Sequence, residues 1–425
     1  MDDLQRGLYL DLKRRCTVLQ QRLTKAQSDP DLKLHAQYAS ESLKAVKDDI
    51  DQIMKQANAP GINPQDQERL AKLLALQFRQ LSRRVSIVQN YLVPPIERFS
   101  VNDRRMTRYV GKLAKEINWP GQAPIVSTSS DAGYMTFIGF YLIEVPAGED
   151  QSLLALPDLI HEMGHILLEE NRSLFLNDFL KSLGKYVNET KDASGKAIDP
   201  SLYSQWEEYW VKEFVSDMIA TYVTGAVFGY QHIRLCSGYP ARAFRGAVTH
   251  PADDARARGA VAVLRKMGQN SAADDVQKRW DEYLKSTGEK KTPKYDTEVP
   301  DVLVDALASS VVDACTKLGI RPWTAPQMAN DSVGMMQEAW KRFHADPAAF
   351  EKWETDRLSQ LWNELGVRTP RTSPRTSLPT PKDTPPTMSR CGATASVIMS
   401  ITSLLGKNGK DSQAVPKRGD HGLAA

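Results

Sequence analysis

His161 and His165 lie four residues apart with Glu162 beside the first, in the stretch Leu-Ile-His161-Glu162-Met-Gly-His165-Ile-Leu-Leu. On a helix, positions i and i+4 share a face, so both imidazoles can reach one metal ion. Glu162 then stands beside the open coordination position, where a water would sit. Only seven of the 425 residues are His, so this spacing is rare by chance and its surroundings bear on the reading. Pro157 and Asp158 read as a helix start. Leu159, Ile160, Met163, Ile166, Leu167 and Leu168 give the helix enough apolar surface to be buried. Gly164 is a poor helix former, and a glycine inside a buried helix lets another backbone approach closely. The plainer alternative is a buried helix carrying two hydrogen-bonded core histidines.

The stretch resembles the H-E-x-x-H motif of zinc metallopeptidases. Catalytic zinc takes three protein ligands and keeps one position open. The metzincin pattern requires His six residues after the second His, and Asn171 stands there, which excludes that group. Downstream, Phe214, Met218, Ile219 and Tyr222 have helical apolar spacing, with Glu213 and Asp217 four apart on one face. This pair resembles the E-x-x-x-D of gluzincins. The resemblance implies Glu213 as third zinc ligand and Asp217 as the carboxylate that orients the first histidine and fixes its tautomer. An exposed acidic pair is the alternative, although apolar residues flank it on both sides. Glu169 and Glu170 compete for the ligand role but lie too close to the motif on the same helix. Glu207 and Glu208 lack a partner carboxylate four residues on.

Thr249-His250-Pro251-Ala-Asp-Asp-Ala-Arg256 resembles the H-P-x-x-x-x-R signature of the HtpX and CAAX-prenyl protease family. The resemblance implies that His250 lies near the zinc and polarises the scissile carbonyl. Arg256 then supports the site by pairing with a carboxylate. His-Pro before Asp253 and Asp254 is also an ordinary helix N-terminus. The resemblance covers roughly residues 130–265 and is confined to the catalytic core, because no apolar run here approaches the ~20 residues of a membrane span. The H-E-x-G-H form is also similar to that of soluble ImmA/IrrE-type proteases. Tyr222, Tyr230 and Tyr239 are possible oxyanion donors, and nothing in the sequence selects one.

These features lead to the expectation of a Zn2+-dependent endopeptidase acting on one or a few regulatory proteins. Its zinc would acidify water to a pKa of about 7, with Glu162 as general base. Two other readings stay open. One is a catalytically inactive zincin-fold protein that only binds a partner, which an intact Glu162 argues against. The other is a zinc hydrolase of a non-peptide amide. Two His and one Glu suit zinc better than other divalent ions.

The surrounding elements must hold these groups in place. Residues 133–146, rich in β-branched and aromatic types and ending in Pro146, read as one strand or as two broken near Gly139. Such a strand beside the motif helix could pair with a peptide substrate. Segments 3–28, 31–58 and 65–92 read as helices, with turns at Asp29-Pro30 and Pro60–Pro64 and an end at Pro94-Pro95. Leu4, Leu8, Leu10, Leu12, Val18, Leu19 and Leu23 keep no strict heptad, so a bundle or hairpin is expected rather than a long coiled coil. It could serve a homodimer or a regulatory partner. Residues 101–117, 252–267, 272–286, 299–318 and 331–365 also read as helical, with Trp280, Trp340, Trp353 and Trp362 as core anchors. The fold class is therefore α+β, mostly helical, with a zincin-like core and a small sheet beside the motif helix. The expected units are a helical domain over 1–95, a catalytic domain over 96–366 and a Pro/Ser/Thr-rich disordered tail over 367–425.

A hydrophobic fraction of 41% and a charged fraction of 25% are those of a globular protein. The net charge of +3 gives no bulk electrostatic case for nucleic acid, although Arg83, Arg84, Arg104 and Arg105 cluster. Cys16, Cys236, Cys315 and Cys391 are too scattered for a disulfide framework or a zinc finger. With no signal-peptide core at the N-terminus, a cytoplasmic location is expected.

Overall fold

The computed structural model describes residues 3–57, 64–130, 133–192, 194–238, 242–292, 294–324 and 331–367. The expected tail, with Cys391, therefore lies outside the described residues apart from Val367, and so does Tyr239.

The chain opens with α1 (Asp3–Leu23), α2 (Lys33–Ala57) and α3 (Pro64–Ile87), close to the expected spans. Pro94 and Pro95 do not end this region. A π-turn at Val88–Leu92 runs into a short α4 (Val93–Glu97) with proline in its first turn, where a missing N–H costs nothing. Next comes α5 (Val101–Glu116), started by a capping box between Ser100 and Asp103. Asp103 also accepts from the Thr128 N–H at 2.6 Å and hydroxyl at 2.8 Å, tying α5 to the sheet.

Three strands form the sheet: β1 (Ile125–Ser130), β2 (Met135–Phe137) and β3 (Leu142–Pro146), in the order β1-β3-β2. β3 pairs parallel to β1 and antiparallel to β2. The 133–146 stretch is thus two strands, separated by a 3-10 turn at Ile138–Phe140 with Tyr141 in the left-handed region. Alternation along the strands divides two cores. Ile125, Phe137, Phe140 and Leu142 join the core of the N-terminal helices, whereas Val126, Ile143 and Val145 join that of the rest of the chain.

The remainder is helical: α6 (Leu156–Glu170), α7 (Arg172–Glu189), α8 (Ser201–Gln205), α9 (Val211–Thr224), α10 (Ala226–Ser237), α11 (Asp253–Lys266), α12 (Asn270–Thr287), α13 (Tyr295–Glu298), α14 (Asp301–Lys317), α15 (Ser332–Ala345) and α16 (Pro347–Glu364). The expected 331–365 helix is two helices, because Asp346 caps α16 through the Ala348 and Ala349 N–H groups ahead of Pro347. Trp280, Trp340 and Trp362 are buried in the cores. No helix among the described residues is long and apolar enough to cross a membrane.

The arginine cluster is largely committed to the fold. Arg84 pairs with Asp49 at 2.6 Å and Arg104 with Asp29 at 2.7 Å. Arg105 is buried, donates to Asn102 at 3.1 Å and lies over the Trp362 ring.

Candidate metal centre

Helices α6 and α9 carry the candidate ligands and cross at Gly164. A Cβ on Gly164 would lie 2.9 Å from the Ser216 Cα, so only glycine permits this approach. The close crossing brings His161, His165 and Glu213 together as a buried group whose ligand atoms lie within 4.8 Å of one another. These three residues could hold a metal ion. Among the described residues no other such group of His, Cys, Asp and Glu occurs. Glu169, Glu170, Glu207 and Glu208 are not part of it, and Glu170 is instead bonded to the Tyr141 hydroxyl.

The outer nitrogen of each imidazole is occupied. His161 Nδ1 meets Asp217 Oδ1 at 2.7 Å, and His165 Nδ1 meets the Ser216 hydroxyl at 3.0 Å. In the tautomer that donates Nδ1–H outward from each ring, both Nε2 atoms would present lone pairs inward. They lie 3.2 Å apart, while Glu213 carboxylate oxygens stand 3.7 Å from His161 Nε2 and 3.8 Å from His165 Nε2. Glu213 Oε1 is buried and accepts no hydrogen bond among the described residues. Three inward-facing electron-pair donors with a buried orphan oxygen are what a cation would satisfy. The donor set of two imidazoles and one carboxylate suits zinc, so the residues present fit that ion.

Asp217 is gripped from behind by Arg256, through Nε at 2.6 Å and Nη2 at 2.7 Å. Burial works against ionisation of Asp217, but this bidentate pair and His161 hold its carboxyl below the usual range. Burial likewise opposes charge on His161, and the Asp217 carboxylate outweighs it, raising the imidazole's pKa. His165 has no such carboxylate on its outer nitrogen, and burial lowers its pKa. Phe228 of α10 stacks on His161 with ring centroids 6.2 Å apart.

Glu162 is buried beside the group, and burial raises its pKa. The Thr136 hydroxyl, on edge strand β2, bonds its carboxylate and also reaches its backbone oxygen at 3.2 Å. His250 Nε2 faces Glu213 at 3.5 Å. Its loop is pinned to the start of α9: Trp210 Nε1 donates to Ala247 O at 2.9 Å and Ala247 N to His250 O at 2.8 Å. His250 is partly exposed, so it borders the group from the solvent side.

The sequence-identified residues His161, Glu162, His165, Glu213, Asp217, His250 and Arg256 therefore meet at one place. Tyr222 and Tyr230 do not join them. Tyr222 bonds Ile320 O at 3.3 Å and Tyr230 bonds Asp275, so neither hydroxyl serves as an oxyanion donor here. Sequence reasoning missed Thr136, Ser216 and a buried pair behind the motif helix, Asp158 with Gln231. Burial pushes the Asp158 carboxyl up to about 7. A polar residue at a helical position facing an apolar stripe was the available signal for Ser216, but its partner could not be read. No known protein family, curated protein or solved structure matches the chain.

Proposed function

We propose that the chain is a zinc-dependent endopeptidase of gluzincin type, hydrolysing peptide bonds in one or a few regulatory proteins. The observation that carries this reading is the buried His161–His165–Glu213 group, with Glu162 next to His161 on the same helix and against an edge strand. A structural histidine pair accounts for the facing Nε2 atoms, 3.2 Å apart, but not for the orphan Glu213 oxygen.

Zinc held by this set would supply a Lewis acid that acidifies water and polarises a carbonyl. Glu162 takes the proton of the attacking water and returns it to the leaving amine. Its raised pKa, from burial, suits a group that must both accept and release a proton near neutrality. Thr136 holds the carboxylate in one orientation. Asp217 keeps the His161 tautomer fixed, and Arg256 keeps Asp217 ionised. His250, on the open side of Glu213, is the donor for the scissile carbonyl oxygen. β2 lies at the sheet edge next to the motif helix, where an extended peptide can add as a further strand. Cys16, Cys236 and Cys315 are buried free thiols, which suits action in a reducing cytoplasm.

The test is Glu162→Gln, assayed on a peptide library next to wild type. Zinc content stays at the wild-type level and cleavage is lost. A variant that cleaves at the wild-type rate contradicts the role of Glu162. Zinc-loaded wild type that cleaves small amides but no peptide redirects the reading to the non-peptide hydrolase.

A further inference from the structure

Helix α10 packs between the histidine group and a separate cavity. One face carries Phe228 toward His161; another lines a cavity of about 350 Å³ formed with α9, α12, α15 and the Trp323 loop. Its walls are aromatic: Tyr230, Trp323, Trp340 and His344 all contribute. The Tyr230 and Trp340 rings are 5.7 Å apart, and His344 meets Tyr230 edge-on at 4.7 Å. Trp323 is seated directly on the α9–α10 joint. A Cβ on Gly225 would fall 2.6 Å from its ring, and Gly225 has φ +68°, so the sequence keeps glycine where the wall comes closest.

The charges lining this cavity have one sign. Arg279 and Lys341 contribute, and none of the lining residues is acidic. Arg279 is engaged with Asp275 at 3.0 Å and lies over the Tyr230 ring, whereas Lys341 is exposed and pairs with no carboxylate among the described residues. Trp340 is 3% exposed, and its indole N–H is buried with no acceptor among the described residues. Buried indole donors ordinarily find a partner. The first turn of α10, whose Ala226 and Val227 line the cavity, holds no acidic residue and no side-chain cap at its N-terminus.

We infer that this cavity is a binding site for a small aromatic carboxylate. Its ring would pack against Tyr230 and Trp323, with Trp340 behind them, and its carboxylate would lie toward Lys341 and Arg279. The volume is at the lower end for small-molecule pockets, about 300–1,000 Å³, which favours a one- or two-ring acid over a nucleotide. The inference does not depend on metal binding or hydrolysis.

The experiment is calorimetric titration of the full chain with phenylacetate and indole-3-acetate, using the matching neutral amides as controls. At least one acid should bind with a Kd of about 1 mM or tighter, and its amide roughly tenfold more weakly. Trp323→Leu, which removes a lining ring, should weaken binding about fivefold. Lys341→Ala, at an exposed position that tolerates change, should weaken it about threefold and keeps the test readable if Trp323→Leu misfolds. Glu213→Ala should bind the acid as wild type does. The inference is overturned if neither acid binds at several times that concentration, if acid and amide bind equally, or if Lys341→Ala has no effect. It is equally overturned if Glu213→Ala abolishes binding, since the acid would then be on the metal group.

Discussion

Replacing Gly164 by Ala tests the geometry that brings the two ligand-bearing helices together. Two effects oppose each other. Intrinsic helix propensity favours alanine by about 1 kcal/mol. Against it, the new Cβ would lie 2.9 Å from the Ser216 Cα and 3.2 Å from the Ser216 Cβ and Oγ. The nearest atom is backbone, so no rotamer change relieves the contact, and α6 and α9 must separate. Overpacking of a dense core costs about 1–3 kcal/mol, and a backbone clash belongs at the upper end. The net expectation is a loss of about 2 kcal/mol, a change of roughly thirtyfold in the folding equilibrium. In a chain of this size the Tm should fall by about 2 °C. Zinc affinity should fall too, because His161 and His165 ride on one helix and Glu213 on the other, and ligand distances tolerate only about 0.2 Å. Urea unfolding with chelator present isolates the packing effect, and competition with a chromogenic chelator measures the second. Gly164→Ala as stable as wild type, or more so, refutes the close crossing, since propensity alone would then be in control.

Asp217→Asn should weaken zinc binding by about 10–100-fold by loosening the His161 tautomer. It should also destabilise the fold by about 2–3 kcal/mol, because Arg256 loses its bidentate partner and keeps only Glu213, 3.9 Å away; an unchanged chelator competition curve contradicts the first effect and an unchanged urea midpoint the second. Thr136→Val should leave zinc content intact and slow hydrolysis about tenfold, one lost hydrogen bond of about 1.5 kcal/mol. Because the Thr136 hydroxyl holds the Glu162 pKa down, the acid limb of the rate profile should move to higher pH in the variant; equal profiles for both proteins would detach Thr136 from Glu162. His35 is pushed down to about 4 by burial, against 6.5 unfolded. Its neutral form is favoured in the fold, so the contribution is full above pH 6.5 and is lost as pH falls toward 4. That window is worth about 3 kcal/mol. Urea midpoints for wild type should drop across it, and those for His35→Gln should drop less; parallel curves refute the assignment.

The parts of this architecture that rest on local pattern were legible in the sequence. Helical spacing, an early proline and a following acid marked α6, and the Glu213–Asp217 face marked α9, because both signals lie within a turn or two of chain. Gly164 was legible as a close approach, though not against which backbone. What escaped depends on partners far along the chain. β1 reads Ile-Val-Ser-Thr-Ser-Ser, which has little apolar alternation, and it is a strand because Asp103 and β3 hold it. Thr136 and Ser216 are ordinary polar residues until folding sets them against Glu162 and His165. Pro94-Pro95 looked like a stop, yet proline in the first turn of a new helix continues the path after the π-turn. The tyrosine hydroxyls were chemically eligible as oxyanion donors, and only the fold reveals that Tyr222 and Tyr230 are already engaged.

The central claim is that His161, His165 and Glu213 form a zinc site, and metal content tests it most directly. Wild type and Glu213→Ala would be purified without chelator, dialysed against micromolar zinc, and analysed by plasma mass spectrometry. One zinc per wild-type chain is expected, with a strong reduction in the variant and circular dichroism showing both folded. Folded wild type that retains no zinc, or a variant that retains as much as wild type, would contradict it.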